Sequence, residues 1–302
     1  MKLRSFVFFI LFVFCLSGYA QGKFILQDKD KDKISFKLIN NLIIIPVEVN
    51  GVPLSFLLDT GVSKVIVFNF VNLSKELKVN QTEEIFLRGL GEGDTVEALR
   101  SKNNVFKIGE AINLEQDMFA IFDASLNFTP QLGVPIHGII GYDLFKDFIV
   151  EINYSKKKII LHDPDLYVPK SCKKCETFDL EFSSNKPFID GSVNMFGKGE
   201  SVPVKLLIDS GGSDALWLFE DTEESINVPE KYFDDFLGRG LSGSVYGKRS
   251  KINSFSLKNF TLNEVNTAFP DSSSISFAKK FKERNGSCLL YTSDAADDVS
   301  TV

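Results

Sequence analysis

Apolar and β-branched residues along this chain fall in short runs punctuated by turn residues. Leu42 to Val49 is one such run, Asn50-Gly51 is a strong two-residue hairpin signal, and Val52 to Leu58 returns. Asp59-Thr60-Gly61 interrupts the apolar pattern, and Val65 to Phe68 resumes it as a strand. Two further strands are predicted at Phe148 to Asn153 and Lys158 to Leu161, joined by a turn at Ser155. Helical periodicity is weak. Leu73 to Leu77 and Pro229 to Leu237 are the short helix candidates. The pattern predicts an all-β chain with few short helices.

The second half repeats the first. Phe56-Leu57-Leu58-Asp59-Thr60-Gly61 is matched by Leu206-Leu207-Ile208-Asp209-Ser210-Gly211, an offset of 150 residues. Val52-Pro53 matches Val202-Pro203 and Ser63 matches Ser213 at the same offset. Arg88-Gly89-Leu90 recurs as Arg239-Gly240-Leu241, and Ser101-Lys102 as Ser250-Lys251, with offsets of 151 and 149. So small a drift implies two copies of one β domain, related by an internal pseudo-two-fold. The break falls in a Pro- and Lys-rich stretch. The predicted organisation is an N-terminal lobe over 21–165, a linker over 166–176 and a C-terminal lobe over 177–287. The first copy ends with Gly138-Ile139-Ile140-Gly141. Its counterpart should begin near Asn285-Gly286-Ser287, so the second lobe reads as incomplete.

Both chain ends read as something other than domain. Lys2 and Arg4, the apolar run Phe6 to Leu16, and Gly18-Tyr19-Ala20 form a cleavable secretion signal over residues 1–20. That run is too short to span a bilayer, which takes roughly 20 residues. A secreted or periplasmic location with no stable membrane span after cleavage is therefore expected. Residues 288–302 read as foreign: the stretch from Cys288 to Asp298 resembles the translation of a transposase-type sequencing-library adapter. The formal charge of −6 over 302 residues argues against nucleic acid as a partner. Cys172-Lys173-Lys174-Cys175 is read as a small local disulfide or two idle thiols in an oxidising compartment. Zinc would need two more ligands, and the chain has only His137 and His162. No metal or other cofactor is expected.

The doubled motif is similar to that of the retropepsin-like (pepsin/retropepsin-type) aspartic proteases, in a bacterial, secreted, tandem-lobed form often followed by a PDZ domain. The resemblance covers about residues 35 to 287. It implies two acid-protease-like β-barrel lobes sharing one cleft, with Asp59 and Asp209 as the catalytic pair. Thr60, Gly61, Ser63, Ser210, Gly211 and Ser213 would support the pair, the hydroxyls of Thr60 and Ser210 locking the two loops together. Gly138 and Gly141 would form the structural glycine motif of the first lobe. Gly89, Leu90, Gly91 and Gly93, with Gly240, Leu241 and Gly243, sit where flap hairpins would cover the site. Val62 and Gly212 stand where many relatives carry Ala or Ser.

The chemistry can be argued without the resemblance. Two carboxylates a few ångström apart cannot both ionise, so one can activate water while the other holds a proton. The pair titrates jointly, so neither role is fixed to one residue. The implied activity is aspartic-type endopeptidase cleavage of a peptide or protein substrate by a monomer whose own lobes pair. The alternatives are a peptide-binding module without turnover, and lobes that pair with a second chain. Other features read as structural. Trp217 and Phe219 are core candidates, His137 caps a loop, and Asp28 to Asp32 is a solvated charge run before the first strand. No serine or cysteine has a credible histidine partner for triad chemistry.

Overall fold

The computed structural model describes residues 22–289 except 71, 72, 74–76, 170, 173, 174, 198, 281 and 282. The expected signal segment and nearly all of the expected tail lie outside the described residues, as does most of the Leu73–Leu77 helix candidate. The first half contributes β1 (Ile25–Leu26), β2 (Lys31–Ser35), β3 (Lys37–Ile39), β4 (Leu42–Val49), β5 (Val52–Leu58) and β6 (Ile66–Val67). It continues with β7 (Thr82–Leu87), β8 (Val96–Ile108), β9 (Ala111–Ala120), β10 (Gly138–Ile140), β11 (Ile149–Asn153) and β12 (Lys158–His162). The second half contributes β13 (Glu181–Ser183), β14 (Lys186–Asn194), β15 (Val202–Ile208) and β16 (Leu216–Leu218). It ends with β17 (Phe233–Gly240), β18 (Gly243–Leu257), β19 (Phe260–Pro270) and β20 (Arg284–Cys288).

The hairpins form where turn chemistry allows. Asn50 and Gly51 both take positive φ, 48° and 84°, and fold β4 onto β5 with Val49 opposite Val52. Alternation along β5 buries Val52, Leu54, Phe56 and Leu58 on one face. Hydrogen bonding then runs β3-β4-β5-β10-β6-β9-β8-β7 in the first lobe and β13-β14-β15-β20-β16-β19-β18-β17 in the second. The two orders are the same, element for element. Pairing of β4 with β8, and of β14 with β18, curls each sheet towards a barrel. The fold is all-β, two barrel-like lobes built on one plan. The repeat seen in the sequence is thus a repeat of topology. Strands β2, β11 and β12 form a separate three-stranded sheet attached to the first lobe.

Each lobe has its own core. Phe24, Phe56, Phe106, Ile108 and Met118 are fully buried in the first, and Leu206, Leu216, Leu218, Val193 and Ile226 in the second. Two leucines cross over. Leu241, from the β17–β18 turn, packs against the first-lobe cluster of Ile44, Ile66, Phe68 and Leu87. Leu90, after β7, packs against second-lobe Phe219 and Ile275 and against Leu237 and Val245.

Two local expectations fail. Pro229–Leu237 does not form a helix: Phe233–Gly240 is β17, paired along β18 from Phe233↔Arg249 to Gly240↔Gly243. Its aromatic side chains suit a half-exposed strand, and the long partner strand overrides the helical spacing. The charge run does not precede the first strand either. β1 comes before it, and Lys31 and Asp32 open β2 opposite His162 and Leu161.

Strand β20 takes the place that β10 holds in the first lobe. Gly286 faces Leu206 as Gly138 faces Phe56, and Cys288 faces Ile208 as Ile140 faces Leu58. A side chain on Gly286 would meet the Trp217 carbonyl at 1.9 Å, and one on Gly138 the Ile66 carbonyl at 2.6 Å, so both strands need glycine there. Cys172 and Cys175 are joined in a disulfide. Among the described residues, no helix is long and apolar enough to cross a membrane.

Candidate active site

Strands β5 and β15 end side by side, and each delivers an aspartate immediately after its last residue. The Asp59 N–H donates to the Ile140 carbonyl at 2.9 Å, and the Asp209 N–H to the Cys288 carbonyl at 3.0 Å. Each loop then turns back on itself. The Gly61 N–H donates to Asp59 Oδ1 at 2.7 Å, and the Gly211 N–H to Asp209 Oδ1 at 3.0 Å. The loops touch so closely that a side chain on Gly211 would lie 2.3 Å from the Asp59 carboxylate carbon. Gly141 seats β10 beneath the first loop, for a Cβ there would meet the Asp59 carbonyl at 2.0 Å.

Four reciprocal hydrogen bonds fasten one loop to the other. The Thr60 N–H donates to Ser210 Oγ and the Ser210 N–H to Thr60 Oγ1, each at 3.0 Å. Thr60 Oγ1 donates to the Ile208 carbonyl at 2.7 Å, and Ser210 Oγ to the Leu58 carbonyl at 2.9 Å. Each hydroxyl thus uses its proton on the opposite strand and its lone pair on the opposite loop. Threonine and serine both supply this, which is why the sequence can differ between the lobes.

The Asp59 and Asp209 carboxylates lie together where the loops touch: a side chain on Gly61 would meet Oδ1 of Asp59 at 3.1 Å and Oδ1 of Asp209 at 3.2 Å. Burial first, and then the negative charge of Asp209, push the Asp59 carboxyl up to about 7. Lys186 and the Gly61 N–H work in the opposite direction. Asp59 therefore keeps its proton across the acid range. The Cys288 thiol lies close enough to feel Asp209, and burial pushes it up to about 12, so it stays neutral.

The pair lines a cavity of about 670 Å³. Of the flap candidates, Gly89, Leu90, Gly240 and Leu241 line the same cavity. The tips of the two hairpins bind each other. The Ser242 N–H donates to the Leu90 carbonyl at 2.9 Å, the Gly93 N–H to the Ser242 carbonyl at 2.7 Å, and the Gly89 N–H to Ser242 Oγ at 3.1 Å. Gly91 and Gly243 adopt φ of 120° and 116°. A side chain on Gly91 would run into the Gly243 nitrogen at 2.5 Å, so close tip contact requires glycine. Ser63 and Ser213 also line the cavity, and the Ser213 carbonyl accepts from Asn41 Nδ2 at 3.1 Å.

Sequence reasoning missed charged residues of this cavity, among them Lys186, Arg284 and Arg249. Lys186 opens β14 and donates to the Gly61 carbonyl, with its charge acting on both aspartates. Arg284 opens β20, 5% exposed, with Nε donating to the Gly286 carbonyl at 3.0 Å. Arg249 pairs with Asp214 and Asp235, and the indole N–H of Trp217 also donates to Asp214 at 2.8 Å. Trp217 lines the cavity and also packs, partly buried, against the clusters of Phe219 and Leu237, and Phe219 is fully buried. Among the described residues, no group of three or more His, Cys, Asp or Glu side chains could hold a metal ion.

The family model described as aspartyl protease matches residues 45–144, about a third of the chain. That span holds Asp59, the first hairpin and Gly138 to Gly141, and the match supports an aspartic-protease reading in general terms. A solved structure of a retropepsin-like aspartic protease from Rickettsia conorii aligns over 48% of this chain and 96% of its own, at 20% identity and a TM-score of 0.28. No curated protein matches the chain.

Proposed function

We propose that this protein is an aspartic-type endopeptidase in which Asp59 and Asp209 act together on a water held between them. The observation that carries this reading is a pair of adjoining carboxylates on two loops tied to each other, one member raised to about 7, in a cavity walled by two hairpins. The ionised carboxylate takes a proton from the water as its oxygen attacks the peptide carbonyl. The protonated carboxyl donates to the carbonyl oxygen, giving a neutral tetrahedral diol. Collapse of the diol transfers a proton to the leaving nitrogen and returns the pair to its single-proton state. Thr60 and Ser210 keep the carboxylates in register, because neither loop can shift without breaking bonds to the other. The two lobes supply both carboxylates, so a monomer suffices. The Lys2-to-Ala20 segment supports export to a secreted or periplasmic location.

Replacement of either aspartate, Asp59→Asn or Asp209→Asn, should lower kcat for peptide cleavage by about 10² to 10⁴ or more while the fold is retained. Full activity in either variant would overturn the assignment. Peptide binding without cleavage by the wild-type chain from acid to neutral pH would favour the peptide-binding module.

A further inference from the structure

The internal repeat allows the two halves of the cavity to be compared position by position. Phe188 faces Leu207 across β14 and β15 as Ile44 faces Leu57 across β4 and β5. Lys186, two residues before Phe188, therefore stands where the first lobe has Leu42. By the pairing of β10 and β20, Arg284 stands where the first lobe has Ile136. All four residues line the cavity. One half is thus aliphatic at both positions, and the other is cationic at both.

Arg284 is the less satisfied of the two cations. Its guanidinium carbon lies 5.0 Å from the Phe219 ring centroid and Nε serves Gly286. Among the described residues, no carboxylate forms an ion pair with it, in contrast to Arg249, which has Asp214 and Asp235. Burial lowers its pKa to about 10, which leaves it cationic in acid and at neutrality. Asp209 is near enough to favour the cation, but its carboxylate is already engaged by Gly211 and by Asp59. With Asp59 carrying its proton, the aspartate pair can supply at most one negative charge against Lys186 and Arg284. The cations thus outnumber the anions at this end of the cavity, and a substrate carboxylate would balance them.

We propose that Arg284 forms a subsite for a carboxylate side chain of the substrate, aspartate or glutamate, on the second-lobe side of the scissile bond. Leu42 and Ile136 receive an apolar side chain on the other side. This inference rests on the peptidase reading. A peptide library with every residue type on each side of the cleaved bond tests it, with products read by mass spectrometry. Acidic residues should be enriched on one side only. For a matched pair of acidic and amide peptides, Arg284→Met should lower the ratio of kcat/KM for the acidic peptide to that for the amide by about tenfold or more. If Arg284→Met does not fold, the wild type alone serves: its preference for the acidic peptide over the amide should be present at neutral pH and be lost as pH falls through the ordinary side-chain carboxylate range, about 4. Equal cleavage of acidic and amide peptides, or an acidic preference unchanged in Arg284→Met, would overturn the subsite. If the wild type cleaves nothing, the peptidase reading fails separately. The subsite is then read by fluorescence anisotropy, with the acidic peptide expected to bind about tenfold tighter than its amide and equal binding overturning it.

Discussion

Lys186 places an ammonium beside two carboxylates, and its effect on them has a definite sign. A nearby cation favours the ionised carboxyl, so Lys186 holds Asp59 below the value that burial and Asp209 alone would set. In Lys186→Met, the alkaline limb of the activity profile should move upward from about 7, measured as kcat/KM against pH. The proton on Asp59 also links to stability. The carboxyl is raised in the folded protein, so its contribution is present at low pH and is lost as pH rises from about 4 through about 7. Asp59→Asn should remove that part of the dependence, and thermal midpoints at pH 4, 5.5 and 7 would reveal it. The aspartates were legible in the sequence because they occur twice in matching surroundings. Lys186 and Arg284 were not, since a cation at the start of a strand ordinarily marks the surface. Their one signal lay in the repeat itself: both stand opposite aliphatic residues of the first copy.

At the scale of the strand, His137 has a role that a loop cap does not describe. Its Nδ1 accepts the Ser55 backbone N–H at 3.0 Å, while the His137 backbone N–H donates to the Ser55 carbonyl at 2.8 Å. In the second lobe Asn285 Oδ1 accepts the Lys205 N–H at 2.8 Å at the corresponding position. A side-chain acceptor thus bridges the same irregular point in both parallel pairs, by imidazole in one lobe and amide in the other. Accepting requires the neutral ring with its proton on Nε2, and burial lowers the His137 pKa accordingly. The contribution is whole above the ordinary histidine value of about 6.5 and diminishes as pH falls below it. His137→Asn should match the wild type within about 1 kcal/mol at pH 7.5 and gain on it as pH falls towards 5, by thermal or urea unfolding. The strands flanking the aspartates were legible from apolar runs and the Asn50-Gly51 turn. Strand β17 was not, because Tyr232, Phe233, Phe236 and Leu237 satisfy helical spacing and only the long partner β18 decides the matter.

Across the whole molecule, the lobes are coupled at the floor of the cavity and again at its roof. At the floor, Thr60→Ala or Ser210→Ala removes two inter-lobe bonds and leaves a backbone N–H and a carbonyl without partners. Each should cost about 1–3 kcal/mol, and Thr60→Ser much less. The double variant should lose less than the sum, with a coupling of about 0.5–3 kcal/mol in urea unfolding, because both changes break one network. At the roof, the exchange of Leu90 and Leu241 has a consequence for how far the covalent thread between the lobes matters. Each half carries a leucine packed against the other half's interior, so the two should behave as complementary fragments. The segment from Asp163 to Leu180 holds no strand or helix among its described residues, and Val168 is 80% exposed. A protease nick there should yield two pieces that co-elute as one particle and keep peptidase activity, whereas the nicked Leu90→Ala, Leu241→Ala protein should separate on dilution. Chain continuity would then be a convenience of synthesis rather than a condition of assembly.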